Sequence, residues 1–371
     1  MSEFPSVTNN AEGMRFSDME IKNFNEDMRY NRFGTTGWQV SKIALGTMTF
    51  GQQNTEEEGH RQLDYALERG INLIDTAEMY SVPPRPETQG STERIIGTWN
   101  RARKRRDDFY LATKIAGPGK MAGHIRSNMG FAEGQLREAV HGSLERLQTD
   151  YIDLYQLHWP ERKANFFGVR GVSELDEWED NFLRMMEDLR DLRREGLIRE
   201  WGMSNETAWG LMRALHLAEV HDLPRPVSIQ NPYSLLARGF EVGLAEVCLR
   251  ENVAGFPYSP LAMGRLSGKY LRGEDTPDSR LNQFTHYTRY NGENALAATQ
   301  AYAEVAEAHG LSMSQMALAF VTDRPFTQST IIGATSLEQL RENVDSILLR
   351  LGAEVLEALE AVQTRYPDPA V

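Results

Sequence analysis

The sequence predicts an α/β fold, a (β/α)8 TIM barrel with an N-terminal hairpin and long loops at its C-terminal mouth. Three observations carry that prediction. Between residues 43 and 333, eight short aliphatic runs alternate with stretches of helical spacing, the pattern of parallel strands joined by crossover helices. No glycine fingerprint follows the first run, as a doubly wound dinucleotide-binding sheet requires. The nearest match, Gly117-Pro118-Gly119-Lys120-Met121-Ala122-Gly123, has its third glycine one residue late. The three longest gaps, 81–91, 158–178 and 259–292, all follow strand C-termini, the face where such barrels keep their working loops.

Each element has its own signal. Residues 1–27 are polar and aperiodic and read as a loosely held extension ahead of one domain, 28–371. Two short segments, 28–34 and 38–41, flank Thr35-Thr36-Gly37 and read as a hairpin. Strands are expected at 43–46, 71–75, 109–113, 151–157, 198–203, 227–230, 253–256 and 329–333. A helix over 56–69 has Thr55 as its cap and Gly70 as its stop. In a second, Leu183, Met186, Leu189, Leu192 and Leu197 share a face closed by Gly196. The basic run from Arg101 to Arg106 reads as the solvated last turn of a helix, where cations suit the dipole.

Composition narrows the function classes. The 371 residues hold 40 basic and 53 acidic side chains, a formal charge of −13, which disfavours nucleic acid and anionic membranes as partners. Cys248 is the only cysteine, so an intrachain disulfide and a Cys-based zinc site are both excluded, and a cytoplasmic setting is expected. The start Met-Ser-Glu-Phe-Pro has no secretory pattern, and no run of 18 apolar residues predicts a membrane span. The histidines show no metal-ligand spacing, so no metal is expected. Gly264-Arg265-Leu266-Ser267-Gly268-Lys269-Tyr270 is one residue short of a phosphate-binding loop of the nucleotide triphosphatases.

At the strand ends stand Asp75, Lys114, His158, Ser204-Asn205, Gln230 and Tyr258-Ser259, with Tyr80 opening the second loop. In a barrel these converge on one mouth. Taken singly, an Asp here reads as a helix cap and a Tyr as packing. Together, Asp75, Tyr80, Lys114 and His158 suit reduction of a carbonyl. Hydride on carbon pushes charge onto oxygen, which then needs a proton. A phenol can give it if a neighbouring ammonium lowers its pKa, the expected role of Lys114. Asp75 would keep that ammonium charged, and His158 would orient the carbonyl. Two catalytic carboxylates, which a barrel glycosidase needs, are not in place.

Several segments resemble the signatures of the aldo-keto reductase family. They are Leu45-Gly46-Thr47-Met48-Thr49-Phe50-Gly51, Asn72-Leu73-Ile74-Asp75-Thr76-Ala77-Glu78-Met79-Tyr80, Ala112-Thr113-Lys114 and Leu157-His158-Trp159-Pro160. Further along come Gly202-Met203-Ser204-Asn205-Glu206, Gln230-Asn231-Pro232-Tyr233-Ser234, Tyr258-Ser259-Pro260-Leu261 and Ile332-Gly333-Ala334-Thr335. The loop from Val82 to Gly90 is similar to the Tas-like bacterial branch, which is related to the potassium-channel β-subunits.

The resemblance implies NADPH extended across the mouth and a tetrad of Asp75, Tyr80, Lys114 and His158. It implies Ser204, Asn205 and Gln230 at the nicotinamide carboxamide, with Gly46, Thr47 and Met48 against the nicotinamide riboside. Ser259, Pro260, Leu261, Ala262, Gly264 and Lys269 would cover the pyrophosphate, and Tyr258 would be a further cofactor contact. Gly333, Thr335, Gln339, Glu342 and Asn343 would read the adenosine end. Many members carry Lys and Arg for the 2′-phosphate where this chain has Gly333 and Gln339, which moves that role to Lys269 and Arg280. The implied activity is reduction of small aldehydes and ketones. A slow, NADPH-binding redox-sensing regulatory protein is the alternative.

Overall fold

The computed structural model describes residues 22–172 and 174–370. The expected extension over 1–27 falls largely outside them. Its described end is held firmly: Lys22 Nζ donates to the Phe109 carbonyl at 3.1 Å, and Asn23 Nδ2 to the Leu67 carbonyl at 2.6 Å.

All eight expected barrel strands form, after a hairpin of β1 (Tyr30–Arg32) and β2 (Gln39–Ser41). They are β3 (Ile43–Gly46), β4 (Leu73–Asp75), β5 (Tyr110–Ile115), β6 (Ile152–Leu157), β7 (Ile198–Ser204), β8 (Ser228–Gln230), β9 (Ala254–Gly255) and β10 (Thr330–Ile332). Each pairs in parallel with its neighbour, in the order β10-β3-β4-β5-β6-β7-β8-β9. Three contacts close the ring between β9 and β10: a parallel bridge from Gly255 to Thr327, Gln328 N–H to the Gly255 carbonyl at 2.9 Å, and Ile331 N–H to the Pro257 carbonyl at 2.8 Å. The result is the (β/α)8 barrel that the alternation predicts.

Its helices are α1 (Glu56–Glu68), α2 (Ser91–Arg103), α3 (Gln135–Leu147), α4 (Phe182–Arg194), α5 (Ala208–His221) and α6 (Leu244–Glu251). They continue with α7 (Lys269–Arg272), α8 (Arg280–Gln283), α9 (Glu293–Ala308), α10 (Met313–Thr322), α11 (Leu337–Asp345) and α12 (Ala353–Arg365). α1 opens on a full capping box, Thr55 Oγ1 accepting from Glu58 N–H while the Glu58 carboxylate accepts from Thr55 N–H. Gly70 beyond its end sits at φ +80°, a left-handed turn that glycine adopts without a Cβ clash. α4 differs from expectation in its face: Phe182 and Met185 are buried with Met186, Leu189 and Leu192, while Leu183 is only half-buried. Arg106 also departs from a solvated role, pairing with the buried Asp153 carboxylate at 2.7 Å.

The hairpin closes the N-terminal end of the barrel. Phe33 meets Phe256 edge-on at 5.9 Å, Trp38 stacks on Tyr110 at 4.8 Å, and Val40 joins the interior cluster with Ala44, Leu73, Ala112, Leu154 and Ile331. The interior is therefore apolar below, and polar only toward the C-terminal mouth. Of the loops there, 259–292 contains α7 and α8, and 116–134 after β5 is a further long segment.

Candidate active site

Strand alternation carries Asp75, Lys114, Gln156 and Gln230 into the barrel interior just above that apolar layer. Lys114 Nζ donates to Asp75 Oδ2 and to the Thr76 carbonyl, both at 2.7 Å. Asp75 Oδ1 accepts from Gln156 Nε2 at 3.2 Å and from Gln230 Nε2 at 2.9 Å, and Gln230 Nε2 also donates to Gln156 Oε1 at 3.1 Å. The pair is buried, Lys114 at 0% exposure and Asp75 at 3%, so each charge depends on the other and on these donors. Burial holds the Lys114 ammonium below its ordinary pKa, and Asp75 pulls the other way.

The turn after β4 brings Tyr80 over this pair. Glu78 N–H donates to the Lys114 carbonyl at 3.1 Å, and Lys114 Nζ lies 5.0 Å from the Tyr80 ring centroid. The His158 ring meets Tyr80 edge-on at 5.6 Å. Burial, then the Asp75 carboxylate, hold the Tyr80 phenol above its ordinary pKa, and the cation that counters them is Arg280. Lys114 directs its hydrogen bonds to Asp75 and Thr76, so its charge reaches the phenol through space from the ring face. Burial, then the Lys114 charge, hold the His158 imidazole well below its ordinary value, so it is neutral near pH 7, and its Nδ1 is buried without a partner.

Above the tetrad opens a cleft of about 1280 Å³. Asp75, Tyr80 and His158 line it, as do Gly46, Thr47, Met48, Ser204, Asn205, Gln230, Tyr258, Ser259, Pro260, Leu261, Gly264, Lys269, Arg280, Gly333, Thr335, Gln339, Glu342 and Asn343. Two predicted residues are absent from its wall. Lys114 sits behind Asp75, and Ala262 is fully buried, its N–H closing a turn onto the Ser259 carbonyl at 2.9 Å. Gly264 N–H is likewise spent on the Leu261 carbonyl at 2.8 Å, so these two amides serve the loop.

Ser204, Asn205 and Gln230 reach the cleft already bonded together. Ser204 Oγ donates to the Gln230 carbonyl at 2.9 Å, and Asn205 Nδ2 to the His158 carbonyl at 2.9 Å and to Ser204 Oγ at 3.1 Å. Asn205 Oδ1 accepts from the Tyr258 hydroxyl at 2.6 Å. Arg280 donates to Gln53 Oε1 at 3.3 Å, and its Nε and Nη2 are buried without partners. Arg265, within the near-miss phosphate-loop motif, turns to Asn291 Oδ1 at 2.7 Å. Of the aromatic residues in the long loops, Phe167 and Tyr287 line the cleft, while Trp159 and Tyr290 are buried as packing, as is Tyr155 within β6.

Sequence reasoning missed two participants. Gln156 was hidden within a strand, although its spacing of two from Leu154 marks the inward face. Glu78 is buried two residues before Tyr80 and accepts from Ala116 N–H at 2.7 Å and from Arg126 Nη1 at 2.5 Å, tying the Tyr80 turn to the loop after β5. Among the described residues, no three His, Cys, Asp or Glu side chains are grouped to hold a metal, and no helix is long and apolar enough to cross a membrane.

A barrel of this topology with this tetrad at its mouth defines a class of oxidoreductase, and comparison with known proteins agrees. Residues 42–364 match the model of the aldo/keto reductase family, and the chain belongs to that family. Among its relatives, Protein tas of Escherichia coli is 50% identical over 349 residues, covering 92% of this chain and 100% of that protein. An aldo-keto reductase of Babesia bovis is 38% identical over 276 residues, 70% of this chain and 97% of that one. A probable voltage-gated potassium channel subunit beta of Oryza sativa is 28% identical over 347 residues, 92% of this chain and 98% of that one.

Proposed function

We propose that the protein is an NADPH-dependent reductase of aldehydes and ketones in which Tyr80 is the general acid. One observation carries the reading: a phenol, a buried ammonium–carboxylate pair and a neutral imidazole meet on the floor of one cleft. At about 1280 Å³ that cleft exceeds the roughly 300–1,000 Å³ of ordinary small-molecule sites, which suits a dinucleotide together with a small substrate.

The residues fit the cofactor. Arg280 offers two buried donor nitrogens without partners, as a phosphate oxygen needs, and Lys269 lines the same cleft. Lys269 and Arg280 would hold the phosphates, with Ser259, Pro260, Leu261 and Gly264 over them. Gly333, Thr335, Gln339, Glu342 and Asn343 would take the adenosine end. Ser204, Asn205 and Gln230 would hold the carboxamide, with Gly46, Thr47, Met48 and Tyr258 against the nicotinamide riboside. When bound, the cofactor supplies hydride to the carbonyl carbon.

The chain's own part is the proton. Held above its ordinary pKa, Tyr80 stays protonated at neutral pH and is ready to donate to the carbonyl oxygen. The Lys114 ammonium on its ring face favours the phenolate as it forms, and Asp75, fixed by Gln156 and Gln230, keeps that ammonium charged. The neutral His158 ring beside the phenol orients the carbonyl by a hydrogen bond.

Fluorescence titration with NADPH and NADH, followed by an aldehyde panel on the same sample, tests this. The expected result is preference for NADPH and NADPH oxidation with several aldehydes. Tight NADPH binding with slow release and negligible turnover across the panel would instead support a cofactor-sensing protein.

A further inference from the structure

The cleft is unevenly charged. Its acidic lining residues other than Asp75 are Glu274, Glu307 and Glu342. Glu274 pairs with Arg272 at 2.7 Å, and Glu342 accepts from Ser312 at 2.7 Å, which places both around α7 and the start of α10, and neither charge acts on the phenol. Among the described residues, the acid whose charge reaches Tyr80 is Asp75, already paired with Lys114. The rest of that end is cationic. Tyr287 on the wall faces Arg280 and Arg85, and Tyr290 behind it faces Arg289.

Arg289 is the informative member. It lines the cleft, and its guanidinium lies beside the hydroxyls of Tyr258 and Tyr290, with no carboxylate partner among the described residues. Tyr258 is in turn bonded to Asn205 and within electrostatic reach of Tyr80, so Arg289 and the phenol flank the same space. Arg280 has a separate occupation in the cofactor's phosphates. A guanidinium presents paired N–H groups that match a carboxylate, and in a chain of charge −13 an uncompensated arginine in a cleft concentrates anions locally. Met121, Phe167 and Val82 add apolar surface to the same cleft.

We propose that the substrates are carbonyl compounds that also carry a carboxylate, and that Arg289 is the residue that selects them by pairing with that carboxylate while the carbonyl lies at Tyr80. This rests on the reductase reading above and narrows it. Specificity then follows from leaving Arg289 unpaired when a neutral aldehyde occupies the site, since the neutral compound gains nothing for the arginine's lost water.

The test compares 4-carboxybenzaldehyde with its methyl ester, which has the same ring and aldehyde but no charge. Steady-state kcat/KM is measured for both on the wild type and on Arg289→Met, with the acid-to-ester ratio as the readout so that general damage to the site cancels. The expected result is a wild-type ratio of tenfold or more in favour of the acid, collapsing toward one in Arg289→Met through a raised KM for the acid. A wild-type ratio near one, with both compounds reduced, overturns the proposal and leaves the reductase reading standing. Calorimetric titration of benzoate into both proteins separates the remaining cases. If neither aldehyde is reduced but benzoate binds the wild type and not Arg289→Met, the anion site stands and the reductase reading falls. If benzoate binds neither, the anion site is refuted as well.

Discussion

Lys114 shows how much a single residue carries. Its ammonium and the Asp75 carboxylate are both removed from water, so deleting either leaves the other charged and buried. Lys114→Met should therefore cost about 3–5 kcal/mol of stability, measured by urea unfolding, as well as turnover. His158 makes a pH prediction. Its imidazole takes up a proton more readily unfolded, where its pKa is near 6.5, than folded, where burial holds it well below that. Protonation below pH 6.5 therefore favours the unfolded chain: the stability linked to this group is complete above 6.5 and declines as the pH falls beneath it. Thermal midpoints of His158→Gln should fall less steeply than those of the wild type between pH 6.5 and 5. At this scale the sequence was legible where residue type and strand end coincide, as for Asp75, Tyr80, Lys114 and His158. It was silent on Gln156 and on the hydrogen bonds of Lys114, because which groups meet across a barrel depends on strand register, and a slip of one residue reverses every face.

Elements were legible where local chemistry decides them. Thr55 and Glu58 announce the start of α1, and Gly70 and Gly196 mark two helix ends by their left-handed backbone. The buried face of α4 was less so. A leucine count chooses Leu183, whereas Phe182, packed against Trp178 and Trp209, and Met185 take the buried places, and tertiary packing prevails over spacing. Close approach of elements is also invisible in sequence. Gly97 on α2 has no room for a side chain: a Cβ there would lie 2.3 Å from the Arg146 carbonyl oxygen near the end of α3. Gly97→Val should then force α2 and α3 apart, at a cost of about 1–3 kcal/mol or more by chemical denaturation. A stability equal to the wild type would show that the two helices do not meet so closely.

At the scale of the molecule, alternation of strand and helix was enough to foresee the barrel and the end at which its polar side chains gather. The eight strands must close on themselves, the hairpin covers the lower opening, and the apolar layer of Ala44, Leu73, Ala112 and Leu154 leaves the upper end as the place for polar side chains. The charge balance was legible only as a total. That the phenol end of the cleft is cationic inside an acidic protein appears once the loops after β4 and β9 are folded over it. The proposed reduction depends on Tyr80 as the proton donor, and Tyr80→Phe tests it most directly because the ring is kept and one hydroxyl is lost. Aldehyde reduction and NADPH affinity should be measured on the same preparation. The prediction is a loss of about 10²–10⁴-fold in kcat with NADPH affinity nearly unchanged; reduction at the wild-type rate by Tyr80→Phe would contradict it.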